Sequence, residues 1–400
     1  MVFPIVVALF AALFFFFYVK VSLPKAGTAE WIERAVHKPR FKFCRYPVER
    51  RDILPLCLLI ALFAAHVLFH PHGPFGQYWE WVWFDDRILS GGFAAFLQHL
   101  TLGFAFEVRL LSNALAGAGV LAAFYVFAKN MFGKTRAAFC GTLLVGFTLQ
   151  LHYLLMPTLP ATLFLLLSYF FMYRYVTTPK EKLFKSGVLP LLLSGLFFGL
   201  GAPLGGELIL AWGGLFVIFG VSLPNNEIDS KHDGYIAKSW LLFLLFLVIL
   251  PAIILFGSFV MHSGELAAYD QTAQLIAVHT SYRVMLGNPV VWGGGFLAII
   301  PIAVTALKFR DSRAMVILVG GSSALLMWAN SELGNFHVPF IFPAAALTHM
   351  FDTFAGRGGR FMKLVPYGFV IFPGIVFAAY VLRMYGIHLP FRSEWITWLL

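Results

Sequence analysis

The sequence predicts an all-α polytopic membrane protein with about twelve transmembrane helices. Its 400 residues are 60% hydrophobic and only 12% charged, and the mean hydropathy is +0.81. A soluble domain carries about 25% charged residues, so this chain has too few to cover a water-exposed surface. The surface must therefore be apolar as well, which means that lipid surrounds most of it.

A transmembrane helix needs about 20 consecutive apolar residues. The runs that approach this length are 3–19, 53–69, 110–127, 137–153, 158–173, 188–200, 208–221, 240–260, 290–307, 314–328, 338–354 and 365–382. We divide the chain into residues 1–52, an N-terminal span with a basic cytoplasmic segment, and residues 53–400, a multi-span membrane domain with an outer loop at 71–108.

The charges of the loops alternate along the chain. Segment 20–52 holds nine Lys and Arg against four acids, whereas loop 71–108 holds four acids and one Arg. One side of the predicted topology collects 24 of the 29 basic residues, and the positive-inside rule makes that side cytoplasmic. Both termini are then non-cytoplasmic, and we expect an integral protein of a bacterial inner (plasma) membrane.

This distribution also excludes nucleic acid as a partner, despite the net charge of +10, because the basic residues lie in short loops between apolar runs. The three cysteines are scattered and make neither a zinc-binding spacing nor a disulfide framework, so we expect buried structural thiols. No metal-ligand motif is present.

Segment 88–106 tests the topology, because its 19 residues carry no formal charge and could span the membrane. A span here would exchange the sides of all later loops and remove the charge bias. We therefore predict a re-entrant or interfacial segment.

Asp85 and Asp86 are the strongest candidates for chemistry, because they follow the aromatic run 78–84 of a kind found at membrane interfaces. A carboxylate there can act as a general base or hold a divalent cation beside a phosphate. The alternative is a pair of solvated loop acids. Arg109 opens the next span and can bind a phosphate, pair with Asp86 or snorkel to the interface. Three further candidates for phosphate or substrate binding on the outer side are Glu207, Arg283 and His337.

Several short motifs occur in a recognisable order from residue 109 onward. They are RLLSNALAG at 109–117, AKNMFGK at 128–134, LPATLF at 159–164, SGLFFGL at 194–200, GNPVVW at 287–292 and HVPFIFP at 337–343. This order resembles the C-type glycosyltransferases, in the branch of polyprenyl-phosphate sugar transferases related to protein mannosyltransferases and lipid A aminoarabinose transferase. The resemblance covers about three quarters of the chain.

The resemblance implies a many-helix fold with an active site at the outer leaflet and an acidic pair in the first outer loop. It implies transfer of a sugar from a lipid-linked donor to an acceptor on the non-cytoplasmic side, with inversion at the sugar carbon. Asp85 or Asp86 would take the acceptor proton, and Arg109 or Arg283 would hold the phosphate. The one cofactor that we consider is the divalent cation described above.

Three departures from the family pattern leave a second hypothesis open. Ala161 stands where the family usually has Asp, Gly205 stands where it often has Lys, and the loop between Asp86 and Arg109 is short. A catalytically silent subunit of the same fold, with membrane-protein partners in a glycan-assembly or secretion complex, accounts for all three. A transporter is the weakest reading, because the acids cluster at span boundaries rather than at the midplane.

Overall fold

The computed structural model describes residues 43–68, 105–147, 158–178, 187–202, 211–222, 233–262 and 311–330, with isolated positions between 302 and 387. Among these residues the regular structure is helical and none lies in a strand. The helices are α1 (Arg50–Leu68), α2 (Ala105–Phe132), α3 (Thr135–Phe147), α4 (Thr158–Val176), α5 (Val188–Gly201), α6 (Ala211–Ser222), α7 (Asp233–Phe243), α8 (Leu250–His262) and α9 (Ser312–Asn330). A π-helical segment, Leu244–Ile249, joins α7 to α8 without a break.

The helical class is confirmed, and each apolar run between residues 53 and 260, as well as 314–328, coincides with a described helix. The predicted span 3–19 lies outside the described residues. The runs 290–307, 338–354 and 365–382 contain only isolated described positions. The prediction of about twelve spans is therefore untested as a number.

Helices α1 and α2 pack antiparallel. At one end the backbone N–H of Tyr46 donates to the carbonyl of Asn130 over 2.9 Å. Three turns further along, Gly117 of α2 lies directly against the ring of Phe63 of α1. Residue numbers thus rise along α1 as they fall along α2. We call the end where α1 begins and α2 ends the basic end.

Other helices also have one terminus at the basic end. α4 ends there, because the Tyr173 hydroxyl donates to the carbonyl of Cys44. α6 runs beside α4 in the same direction, and α7 runs back along α6. The side-chain pairs that establish these directions are Tyr169–Ala211, Tyr175–Phe219, Trp240–Phe219 and Trp212–Leu247. The segments after α4 and α6 therefore attach at the basic end, and both carry basic residues.

Small residues bring α4, α5 and the π-helical segment together. Ser168 and Ser194 each donate to the other's backbone carbonyl over 2.9 Å, which joins α4 to α5. On α5, Gly195 packs against the backbone carbonyl of Phe246 in the π-helical segment. The indole of Trp212 donates to the next carbonyl, that of Leu247, over 2.9 Å. A π-helical turn displaces carbonyls from the regular ladder, and Trp212 satisfies one of them.

Apolar side chains also cover the outside of the bundle. Two described helical stretches are long and apolar enough to cross a membrane, Leu115–Phe132 and Lys238–Gly257, and only 17% of the second is buried. Leu241, Ile253 and Phe256 on that stretch are each more than 60% exposed. A contiguous apolar face of this length is costly in water, so it indicates a membrane protein.

The expectation of buried thiols holds for Cys140 and is wrong for Cys44 and Cys57, which are exposed. Cys57 lies on α1 beside the exposed Leu58, on a face that an apolar surrounding can cover.

Gly195 offers a test of the α5 packing. In Gly195→Ala the new methyl group would overlap the Phe246 carbonyl oxygen, so the backbones must separate. We expect a loss of about 1–3 kcal/mol in the free energy of unfolding, measured by thermal or denaturant unfolding in detergent. The control is Gly213→Ala, because a Cβ there meets nothing within 4 Å. It should be neutral or stabilising, and equal losses in both variants would contradict the packing described.

Candidate functional site

The structure tests the placement of the predicted site residues only in part. Asp85, Asp86, Glu207, Arg283 and His337 lie outside the described residues. The backbone at Arg109 is in the first two turns of α2. That end of α2 is opposite the basic end, and the last residue of α1 is at the same opposite end. Segment 69–104, with Asp85, Asp86 and all but the last two residues of the predicted re-entrant stretch 88–106, therefore attaches at both of its ends to the side opposite the basic end.

A polar group at the basic end surrounds two buried charges and is here called the Asp52 cluster: Glu49, Asp52, Tyr125, Lys129 and Thr135. Asp52 and Lys129 are fully buried, with 3.4 Å between Oδ2 and Nζ. Oδ1 of Asp52 accepts from the Tyr125 hydroxyl over 3.0 Å and from the Thr135 hydroxyl over 2.7 Å. The Thr135 hydroxyl in turn accepts from Lys129 over 2.9 Å.

The same carboxylate also caps the first helix. Oδ2 of Asp52 accepts the backbone N–H of Glu49, the residue before α1, over 2.7 Å. A side chain at the third helical position that reaches back to the N-cap amide is half of a capping box. The Asp52 cluster thus fixes the start of α1 against the end of α2 and the start of α3.

Hydrogen bonding keeps Asp52 ionised. Burial raises the pKa of its carboxyl, but the Glu49 amide, the Thr135 and Tyr125 hydroxyls and the Lys129 charge together lower the pKa below its usual range. Four groups occupy the two oxygens, and the side chain has no exposure to solvent. This carboxylate is therefore a structural anion rather than an acid or base for a substrate.

A second group, the Asp352 cluster, joins the start of α9 to the turn between α2 and α3. Its members are Lys134, Asp311, Arg313, His349 and Asp352. Arg313 donates to both oxygens of Asp311 and, through Nη1, to Asp352 over 2.8 Å. Lys134 lies 2.7 Å from the other oxygen of Asp352.

Asp311 is also the N-cap of α9. Its Oδ1 accepts the backbone N–H of Arg313 over 2.8 Å, as expected of a side chain that precedes a helix. Burial raises the pKa of this carboxyl, but the adjacent His349 and Arg313 lower it well below the usual range. The Asp352 cluster therefore connects Asp352 and the start of α9 to Lys134, in the turn between α2 and α3.

The described core leaves little room for a substrate. A cavity of about 30 Å³ lies between α2, α4 and α9, lined by apolar side chains that include Phe124, Leu166 and Ile317. That volume admits a water molecule or two, and no sugar or prenyl chain. Within the described part of the chain no group of three or more His, Cys, Asp or Glu residues could hold a metal ion.

We did not predict from the sequence that Asp52 pairs with Lys129 or that Asp311 pairs with Arg313. The signal for Asp52 is an acid three residues after Glu49 in an otherwise basic segment, directly before an apolar run. Asp311 is likewise an acid among basic residues, directly before the apolar run of α9. A count of net charge does not distinguish these two acids from other loop residues, although their positions predict helix caps.

Comparison with known proteins finds a similar fold among solved structures, but no match by sequence. Neither a family model nor a curated relative matches the sequence. The apo crystal structure of the Archaeoglobus fulgidus oligosaccharyltransferase matches with a TM-score of 0.57 at 12% identity, over 82% of this chain and 56% of that one. The chain therefore shares its fold with that oligosaccharyltransferase. It spans 56% of the length of that oligosaccharyltransferase.

Two further structures of the archaeal enzyme match less closely. One, a complex with Zn and sulfate, gives a TM-score of 0.47 at 16% identity, over 94% of this chain and 52% of that one. The other, a complex with an inhibitory peptide and a dolichol-phosphate, gives 0.43 at 13% identity, over 94% and 55%. The fold shared with the apo oligosaccharyltransferase agrees with the predicted resemblance, whereas the mannosyltransferase and aminoarabinose branch stays a prediction.

The burial of the Asp52–Lys129 pair predicts a large effect of removing one partner. Asp52→Ala leaves a buried ammonium and an uncapped helix, so we expect the free energy of unfolding to fall by about 3–5 kcal/mol. Glu49→Gln is the control, because that side chain is 44% exposed and 3.9 Å from Lys129. An exposed pair contributes about 0–1 kcal/mol. Equal losses from both substitutions, in denaturant unfolding of the purified protein, would contradict a buried cluster.

The lowered pKa values of Asp52 and Asp311 predict acid sensitivity. A carboxyl whose pKa is lower in the folded state than its unfolded value of about 3.9 stabilises the protein above that pH. The contribution declines as the pH falls through the folded pKa. We expect the midpoint of thermal unfolding to drop below about pH 4. Asp311→Asn keeps a helix cap but cannot titrate, so it should be less stable at neutral pH and show a smaller acid-induced drop. An unchanged drop would exclude Asp311 as a cause.

Proposed function

We propose that this protein is a membrane glycosyltransferase that moves a sugar from a polyprenyl-phosphate donor to an acceptor at the face opposite the basic end. The observation that carries the proposal is the C-type fold, shared with an oligosaccharyltransferase over 82% of this chain. The motif order in the sequence supports the same class independently. By the positive-inside rule the active face is non-cytoplasmic.

The described helices support the position of the reaction. The end of α1 and the start of α2 lie opposite the basic end, and the segment with Asp85 and Asp86 connects them. Arg109 is at the start of α2, on the same side. The proposed carboxylate base and the proposed phosphate-binding arginine would then act on one side of the membrane, as transfer from a lipid-linked donor requires.

In the proposed reaction an acceptor hydroxyl or amine attacks the anomeric carbon of the donor sugar. Asp85 or Asp86 takes the acceptor proton, and the bond from the sugar to the phosphate oxygen breaks with inversion. Arg109 or Arg283 pairs with the departing polyprenyl phosphate, and Glu207 and His337 are candidates for substrate contacts. A divalent cation held by the acidic pair would neutralise the same phosphate charge.

The second candidate is a catalytically silent subunit with this fold. Ala161 lies in the first turn of α4, and the start of α4 is opposite the basic end. The departure from the family's Asp therefore falls on the proposed active face rather than at a distant position. This observation favours a scaffold within a membrane complex, which would bind protein partners without transferring sugar.

Amide substitution of the acidic pair separates the two candidates. We expect Asp85→Asn with Asp86→Asn to lower the rate of sugar transfer by about 10²–10⁴-fold, because a general base of this kind contributes that much. The assay follows label from polyprenyl-phosphate sugars into the aqueous or protein fraction of membranes containing the full chain. Glu49→Gln, an acid-to-amide change at the basic end, is the control and should keep full activity. Full transfer by the Asp85 and Asp86 variant would contradict the assignment of these residues as the base. No transfer by the wild type would favour the scaffold.

A further inference from the structure

The basic end carries a group of exposed cations around the Asp52 cluster. Its exposed basic residues are Arg45, Arg50, Arg51, Lys134 and Arg136. Lys134 pairs with Asp352, and Arg51 pairs with Glu49 over 2.6 Å while its side chain stays 68% exposed. Among the described residues no ion pair is formed by Arg45, Arg50 or Arg136. The Asp52–Thr135 hydrogen bond joins the first turns of α1 and α3 at this end.

An exposed apolar ridge begins one turn after these arginines. Leu54, Leu58 and Leu62 on α1 are 78%, 53% and 60% exposed. With Arg51 they follow the spacing i, i+3, i+7, i+11, which is one stripe along a helix. The helix thus places guanidinium groups at the head of a leucine ridge about 12 Å long.

This juxtaposition fits one class of ligand. An anionic phospholipid carries a phosphate and an acyl chain in a single molecule, whereas an acidic peptide or a free phosphate would match the arginines and leave the ridge uncovered. The site does not depend on the amides at the start of α1, because Asp52 already accepts the Glu49 amide. The guanidinium groups supply the attraction, since arginine binds phosphate in a bidentate manner.

We propose that Arg50 and Arg51, with the Leu54–Leu58–Leu62 ridge, bind an anionic phospholipid in the leaflet at the basic end. The phosphate lies against the guanidinium groups and one acyl chain lies along the ridge. The site is on the opposite end of the bundle from the proposed reaction and needs no catalytic activity. Its role is to hold α1 in place, because Arg50 and Arg51 directly precede Asp52 in the first turn of that helix.

The test is lipid retention by the full chain. The protein is purified from vesicles of phosphatidylcholine with phosphatidylglycerol, and the bound lipid is quantified by native mass spectrometry. We expect selective retention of phosphatidylglycerol and a higher midpoint of thermal unfolding than in phosphatidylcholine alone. Arg50→Gln should weaken retention about fivefold, the effect of one cation near an anionic surface.

Three controls make the proposal falsifiable. Lys238→Gln removes an exposed cation on α7, and an equal loss of phosphatidylglycerol would show that the whole basic end attracts lipid without a site. Leu58→Ser should lower retention while leaving the arginines intact, and no change would exclude the ridge. If inorganic phosphate alone stabilises the protein as much as phosphatidylglycerol, or if a co-purifying acidic protein displaces the lipid, the phospholipid assignment is wrong. Loss of sugar transfer in the Asp85 and Asp86 variant leaves each of these readouts unchanged.

Discussion

The Asp52 carboxylate is buried where three helices meet, and the arrangement of the bundle depends on it. A charge in an apolar interior is costly unless counter-charge and hydrogen bonds surround it. Lys129, Tyr125 and Thr135 provide them from α2 and α3, and the Glu49 amide provides one more at the start of α1. Since any shift of α1 along α2 would leave Asp52 or Lys129 unpaired, the pair specifies the register of the two helices.

Lipid as a solvent explains why polar groups concentrate at this end. Between the ends, the helices contact one another through small residues and aromatic rings, and the outer faces are apolar. In such surroundings apolar burial does little to choose between alternative packings, because lipid tails are as apolar as a leucine side chain. Specificity has to come from polar contacts and from close backbone approach. The Ser168–Ser194 pair and the contact of Gly195 with the Phe246 carbonyl supply both along α5.

The sequence allowed the helices and their sides to be predicted, but not the partners. Apolar runs bounded by charge located α1 and α4 within a few residues, because lipid imposes a length on each span. The described basic residues before α1, between α2 and α3 and at the start of α9 lie at one end, as the charge count predicts, yet that count included Lys129 and Arg313 only as loop charges. Each is instead bound to an acid, and Asp52 and Thr135 are 83 residues apart. Loop charge does not encode such pairs, although the caps at Asp52 and Asp311 leave a local signal. The candidate catalytic residues are still known only from sequence.

The described ionic contacts and the proposed reaction lie at opposite ends of the bundle. The ionic contacts that fix α1, α2, α3 and α9 lie at the basic end, whereas Arg109 and Ala161 are on helix starts at the other end. The segment with Asp85 and Asp86 joins the bundle at the end opposite the Asp52 cluster, because α1 ends there and α2 begins there. Ala161, which departs from the pattern of the resemblance, is on a helix start at the end opposite these contacts. The proposed choice between transferase and scaffold therefore depends on the acidic pair and not on the ionic contacts of the basic end.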